Sequence, residues 1–98
     1  MNRPRHTKHD ANQADIVFSA RALGMLWLDT SDNGGEMLDG FFCWRGRCVP
    51  TEIKAKGKRD KLTVGERMVI AKLAAVGVKA CIAECLDDVL RAFGAEGE

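Results

Sequence analysis

Three polar side chains stand out by type and spacing: Asp39, Glu52 and Lys54. Between the acids runs Gly40–Phe41–Phe42–Cys43–Trp44–Arg45–Gly46–Arg47–Cys48–Val49–Pro50–Thr51, which reads as two short strands joined by a tight turn at Arg45–Gly46. With those two residues as the tip, Trp44 pairs with Arg47, Cys43 with Cys48, Phe42 with Val49, Phe41 with Pro50 and Gly40 with Thr51. The next opposed pair is Asp39 with Glu52. Directly opposed residues share a sheet face roughly 5 Å apart, and Lys54, two residues beyond Glu52, faces the same side. Two carboxylates that close repel unless a cation lies between them. A divalent metal gripped by both, with an ammonium group alongside, is the equipment for phosphodiester hydrolysis. A cross-strand acid pair on a wet sheet face, with the lysine as its ion-pair partner, is the structural alternative.

The elements that must position these residues follow from local signals. Asp10 can cap a helix, and Ile16, Val17, Ala20 and Leu23 fall on one helical stripe of the stretch Ala11 to Leu23, with Gly24 as its stop. Met25–Leu26–Trp27–Leu28 is a short apolar run that reads as a buried strand, and Asp29 to Gly35 is a loop by composition. After the hairpin comes a basic loop, Lys56–Gly57–Lys58–Arg59–Asp60. Thr63–Val64–Gly65–Glu66 has the form of a capping box, opening a helix to about Val76 with Val69, Leu73 and Val76 on one stripe and Gly77 at its end. Val78 to Ala83 is the next strand, and Leu86, Val89, Leu90 and Phe93 mark a last amphipathic helix closed by Gly94. The order is α-β-β-β-α-β-α, an α/β fold with a central mixed sheet flanked by helices. One domain is expected over residues 10–94, with a basic tail at 1–9 and a frayed end at 95–98.

A chain of 98 residues suffices for one modest core. No apolar run is long enough to span a bilayer, and the N-terminal residues lack the apolar centre of a signal peptide, so the expected location is cytosolic. The net charge is +1, but from Arg45 to Lys61 seven basic residues face two acids. Arg3, Arg5 and Lys8 add to the positive side, while the chain from Glu84 onward is acidic. Such a basic segment beside two acids suits a polyanionic partner, or a solvated lysine-rich loop. Lys56, Lys58, Arg59 and Lys61, with Arg45 and Arg47 at the hairpin tip, are the candidate phosphate contacts. Their spacing offers affinity and salt dependence rather than base reading.

Cys43, Cys48, Cys81 and Cys85 match neither a secreted disulfide framework nor the tight two-residue knuckles of a zinc site. Reduced, buried or half-buried thiols are expected, although Cys43 and Cys48 are cross-strand neighbours close enough for a disulfide. Trp44 offers a ring either for base stacking or for packing on its neighbours. His6 and His9 read as solvated tail residues.

The element order and the placement of its acids resemble the PD-(D/E)xK phosphodiesterase superfamily, and more closely its stand-alone virus-type replication and repair nuclease (VRR-NUC) domain, common in phages. The resemblance runs from about Asp10 to Phe93. It rests on the Asp10–Val17 helix start, Gly34–Gly35–Glu36–Met37–Leu38–Asp39, Arg45–Gly46–Arg47, Glu52–Ile53–Lys54, Gly57 to Thr63, and Leu86–Asp87–Asp88–Val89–Leu90. It implies Asp39 and Glu52 as metal-ligand acids, the Ile53 carbonyl as a further ligand, and Lys54 as the residue that orients or activates water and neutralises phosphoryl charge. It implies Gln13 as a first-helix polar residue facing the metal or its waters, the alternative being a surface glutamine; Asp15 and Glu36 are further candidate ligands, although acids near helix ends and loops are usually solvated. The implied activity is Mg²⁺- or Mn²⁺-dependent cleavage of DNA, structure-selective for branched or Holliday-junction-like substrates, by a homodimer. The chain departs from the family at Leu38, where proline usually precedes the acid, and at Glu66, where glutamine is common. Pro50, inside the Glu52 strand, implies an edge or a bulge that would shift the pairing.

Overall fold

The computed structural model describes residues 8–33 and 37–95. Helix α1 (Lys8–Ala22) leads into strand β1 (Leu26–Asp29), followed by a short 3₁₀ turn at Ser31–Asn33, then β2 (Gly40–Trp44) and β3 (Arg47–Ile53), then α2 (Val64–Ala75), β4 (Cys81–Ala83) and α3 (Leu86–Ala92). The four strands form one mixed sheet in the order β1-β2-β3-β4, antiparallel except for β3 with β4. This is the expected α-β-β-β-α-β-α order around a mixed sheet flanked by helices. Among these residues no helix is long and apolar enough to cross a membrane.

The hairpin takes the register read from the sequence, from Trp44↔Arg47 to Gly40↔Thr51. Its tip explains why. Arg45 and Gly46 both hold positive φ, 52° and 80°, the turn whose twist matches that of the strands it joins. Pro50 makes no bulge, because it pairs with Phe41 at a position where the strands do not exchange hydrogen bonds. Its missing N–H therefore faces β4, and β4 pairs only from Thr51↔Cys81 onward. Cys43 and Cys48 occupy a similar close-approach pair, Cα–Cα 3.9 Å, and are joined by a disulfide, which corrects the expectation of four reduced thiols. Cys81 is a buried free thiol as expected, whereas Cys85 is exposed.

Alternation sorts the sheet into two faces. Trp27, Phe42, Val49, Ile53, Cys81 and Ala83 point to the face covered by Ile16, Val17 and Ala20 of α1 and by Val89 and Phe93 at α3, and this is the core. Leu26 and Leu28 point the other way and are about half exposed, so β1 is a half-buried edge strand rather than a fully buried one. Other expectations shift at element ends. Helix α1 begins at Lys8, which places Asp10 inside it rather than at its cap. Leu23 lies past the helix, beside Gly24 at φ 97°, and is exposed. Val76 caps α2 and turns outward. Residues 78–80 stay out of β4, and Ala95 is buried with its N–H on the Leu90 carbonyl, so the ordered chain passes Gly94. The capping box at Thr63 and Glu66 forms in full.

Gly40 sits where β2 meets Asp39, pressed against β1. A Cβ there would lie 2.3 Å from the Leu28 carbonyl oxygen and 2.7 Å from the Trp27 ring. The first neighbour is backbone and cannot swing away. Gly40→Ala should therefore cost about 1–3 kcal/mol of stability, read as a lower urea midpoint at unchanged slope; a midpoint like that of the parent would refute this steric role.

Candidate active site

Strand β2 ends at Gly40, and beyond it side chains take over the ladder. The Asp39 N–H donates to Glu52 Oε1 at 3.1 Å, and the Ile53 N–H donates to Asp39 Oδ2 at 2.8 Å. The two acids thus converge as the hairpin register requires. In a strand the N–H and C=O of one residue point to the same side, so the Ile53 carbonyl also faces the Asp39 side. Lys54 follows on the Glu52 face. Its Nζ lies 3.5 Å from Glu52 Oε2 and 3.0 Å from Glu66 Oε1. Glu66 is held in turn by its capping box, accepting from the Thr63 N–H at 2.9 Å. Helix α2 has no fully buried side chain, and this polar junction ties its first turn to the sheet.

The site is short of positive charge. Glu52 is only 2 % exposed. Burial, the Asp39 charge and Glu66 push it up to about 8, with Lys54 pulling the other way. Burial also works against the Lys54 charge, but the hydrogen bond and charge of Glu66 and the charge of Glu52 outweigh it, holding the amine above the usual lysine value. Glu66 lies below the usual glutamate value, because hydrogen bonds from Glu52, the Thr63 amide and Lys54 outweigh its burial. Three acids around one ammonium is the imbalance that a divalent cation relieves. Among the described residues no group of three or more His, Cys, Asp and Glu side chains is arranged as a ligand set. A cation here would draw on Asp39, Glu52, a backbone oxygen and water. All are hard oxygen donors, the set that suits Mg²⁺ or Mn²⁺.

Other expected site residues fall elsewhere. Gln13 Nε2 approaches Asp29 Oδ2 at 3.4 Å, on the α1 side of the sheet, rather than the Asp39–Glu52 pair. Asp15 is exposed on α1. Glu36, His6, Arg3, Arg5 and the side chain of His9 lie outside the described residues. Trp44 packs edge-on against Phe93 at 5.6 Å, with the Arg45 guanidinium 4.1 Å above its ring, so packing claims it. The basic run is divided by the fold. Lys56, Lys58 and Lys61 are exposed in the loop after Lys54, whereas Arg45 and Arg47 stand at the far end of β3. Arg59 folds back over β4, donating to the Ile82 carbonyl at 2.9 Å.

Two contributors escape the sequence reading. Asn12 Nδ2 donates to the Lys54 carbonyl at 2.7 Å and to the Glu84 carbonyl at 3.3 Å, tying α1 to the ends of β3 and β4. Asp29 accepts from the Ser31 amide at 2.8 Å and the Ser31 hydroxyl at 2.6 Å. Burial works against its charge, but these bonds together with those from Trp27 and Gln13 hold it below the usual carboxylate value. Adjacent helix residues differ by about 100° in direction, so Asn12 rather than Gln13 meets the site backbone.

Glu52 makes the metal-free fold sensitive to pH. Unfolded, it titrates near the ordinary glutamate value of about 4.3; folded, it keeps its proton up to about 8. The folded state therefore binds the extra proton between those values. The contribution of Glu52 to stability is complete at low pH and is lost as pH rises through about 8. Glu52→Gln should flatten this fall, which is on the order of a few kcal/mol, in thermal melts recorded with chelator; an undiminished slope in the variant would exclude Glu52 as its source. The sequence matches no family model, and no characterised protein or solved structure is significantly similar to it.

Proposed function

We propose that the protein is a DNA endonuclease that hydrolyses phosphodiester bonds with Mg²⁺ or Mn²⁺, acting in the cytoplasm on branched or junction DNA as a homodimer. The observation that carries this reading is the convergence of Asp39 and Glu52 through hydrogen bonds of 3.1 and 2.8 Å, with Lys54 Nζ 3.5 Å from Glu52. Asp39, Glu52 and the Ile53 carbonyl would hold the cation. When bound, such an ion lowers the pKa of a coordinated water and stabilises charge on the phosphoryl oxygens. Lys54 is held protonated beside Glu52 and Glu66, so its part is electrostatic: it orients water and balances negative charge that builds on the phosphate. Lys56, Lys58 and Lys61 extend beyond the site as exposed cations suited to a DNA backbone. Half-exposed Leu26 and Leu28 on the edge strand give a second copy apolar surface to cover, and a two-fold pair can address two strands.

A non-catalytic nucleic-acid-binding module is the second reading. It is favoured by the structural work that Asp39 and Glu52 already perform, since each accepts a backbone N–H that the end of β2 leaves without a ladder partner. Cleavage of a panel of branched and linear DNAs, with Mg²⁺, Mn²⁺ or chelator, separates the two. The nuclease reading expects metal-dependent cutting that falls by about 10³-fold or more in Lys54→Ala, with DNA binding largely kept. Binding without cutting in either metal would establish the module instead.

A further inference from the structure

Because β4 joins β3 only at Thr51, the first half of β3 and the segment 77–80 diverge. A cavity of about 630 Å³ opens between them, floored by α3. Four cations line it: Arg47 from the hairpin, Arg59 from the basic loop, Lys79 before β4 and Arg91 from α3. One acid lines it, Asp88, and a second, Glu84, stands 3.7 Å from Arg59 just outside, leaving a net charge of +2 with both acids counted. Asp88 is engaged by Arg91 at 2.8 Å, by the Glu84 amide at 2.9 Å and by Arg59 at 3.7 Å. Carbonyls anchor two guanidinium groups, Arg47 on Ala92 at 3.2 Å and Arg59 on Ile82 at 2.9 Å. Each anchor uses one donor of a five-donor fork and fixes its direction. The Lys79 side chain is exposed and makes no hydrogen bond or ion pair with the described residues. The remaining wall is apolar, formed by Val49, Pro50, Val78 and Ala80.

This combination selects a ligand. The cations call for an anion, and fixed guanidinium forks favour phosphate geometry. The volume lies in the range of small-molecule sites, and the apolar wall would contribute nothing to a bare phosphate. We propose that this cavity binds one nucleotide unit, its phosphate against Arg47, Arg59 and Lys79 and its sugar and base along the wall of Val49, Pro50, Val78 and Ala80. The choice of nucleic acid rests on the function proposed above.

Lys79 supplies the test, since it belongs to neither the acid cluster nor the basic loop. Binding of a labelled oligothymidylate is measured in chelator over a range of salt for the parent, Lys79→Glu and Lys79→Arg, with melting curves to verify the fold. Lys79→Glu should weaken binding by roughly tenfold and lower the salt slope by about 0.9, with Lys79→Arg restoring both. Thymidine monophosphate should compete better than inorganic phosphate. Direct binding of the monophosphate would identify free nucleotide as a source, and competition only by the oligonucleotide would identify a strand. Parent-like affinity and slope in Lys79→Glu would overturn the proposal, as would competition by inorganic phosphate or by polyglutamate as strong as that of the unlabelled oligonucleotide. These readouts need no metal, so absence of cleavage with the Lys79 effect intact would count against the nuclease alone.

Discussion

The crossed hydrogen bonds that join Asp39 to the Glu52 side chain and to the Ile53 amide carry the site. Where β2 ends, two backbone donors would face a buried carboxylate with no partner strand, and unmatched buried groups are costly. The chain resolves this by turning the side chains themselves into the ladder, Asp39 receiving the Ile53 amide and Glu52 receiving the Asp39 amide. The same bonds fix the direction of both carboxylates. Everything upstream serves that register: the positive-φ turn at Arg45–Gly46, the disulfide at Cys43–Cys48, and Gly40, whose missing side chain lets β1 close against β2. Structural support and chemical arrangement are therefore inseparable here, and the removal of either acid acts on both.

The parts legible in the sequence are those governed by short-range geometry. The hairpin register follows from a turn of two residues, and the Thr63–Glu66 box from the fixed reach of a helix's first turn. The glycine stops follow from the positive φ that Gly24, Gly77 and Gly94 adopt. What was illegible depends on distant partners. Asn12 meets the Lys54 carbonyl across 42 residues of sequence, and nothing local marks it over Gln13 beside it. Residues 78–80 lead straight into β4, yet the partner strand at that level offers Pro50, so pairing waits until Thr51↔Cys81. The contiguous run of cations reads as one patch in sequence, but β3 carries its two ends apart, and only Arg59 folds back toward Arg47.

Glu66 changes the balance of the site in a way that glutamine would not. A glutamine at the same place could accept from the Thr63 amide and complete the cap, but it would leave Lys54 paired with Glu52 alone. With glutamate, Lys54 stands between two acidic side chains, nearer to Glu66 at 3.0 Å than to Glu52 at 3.5 Å. The ammonium is anchored by a residue outside the Asp39–Glu52 pair. Were a cation to claim the Glu52 oxygens, Lys54 would keep a partner and its position. The capping box stiffens that partner, since the Glu66 carboxylate is tied to the Thr63 amide and the Thr63 hydroxyl to the Glu66 amide at 3.0 Å. The lysine is thus placed by the start of α2, on the opposite side from the hairpin that places the acids. Two separate elements meet at one charge, and their spacing, rather than the acids alone, decides where positive charge stands in the site.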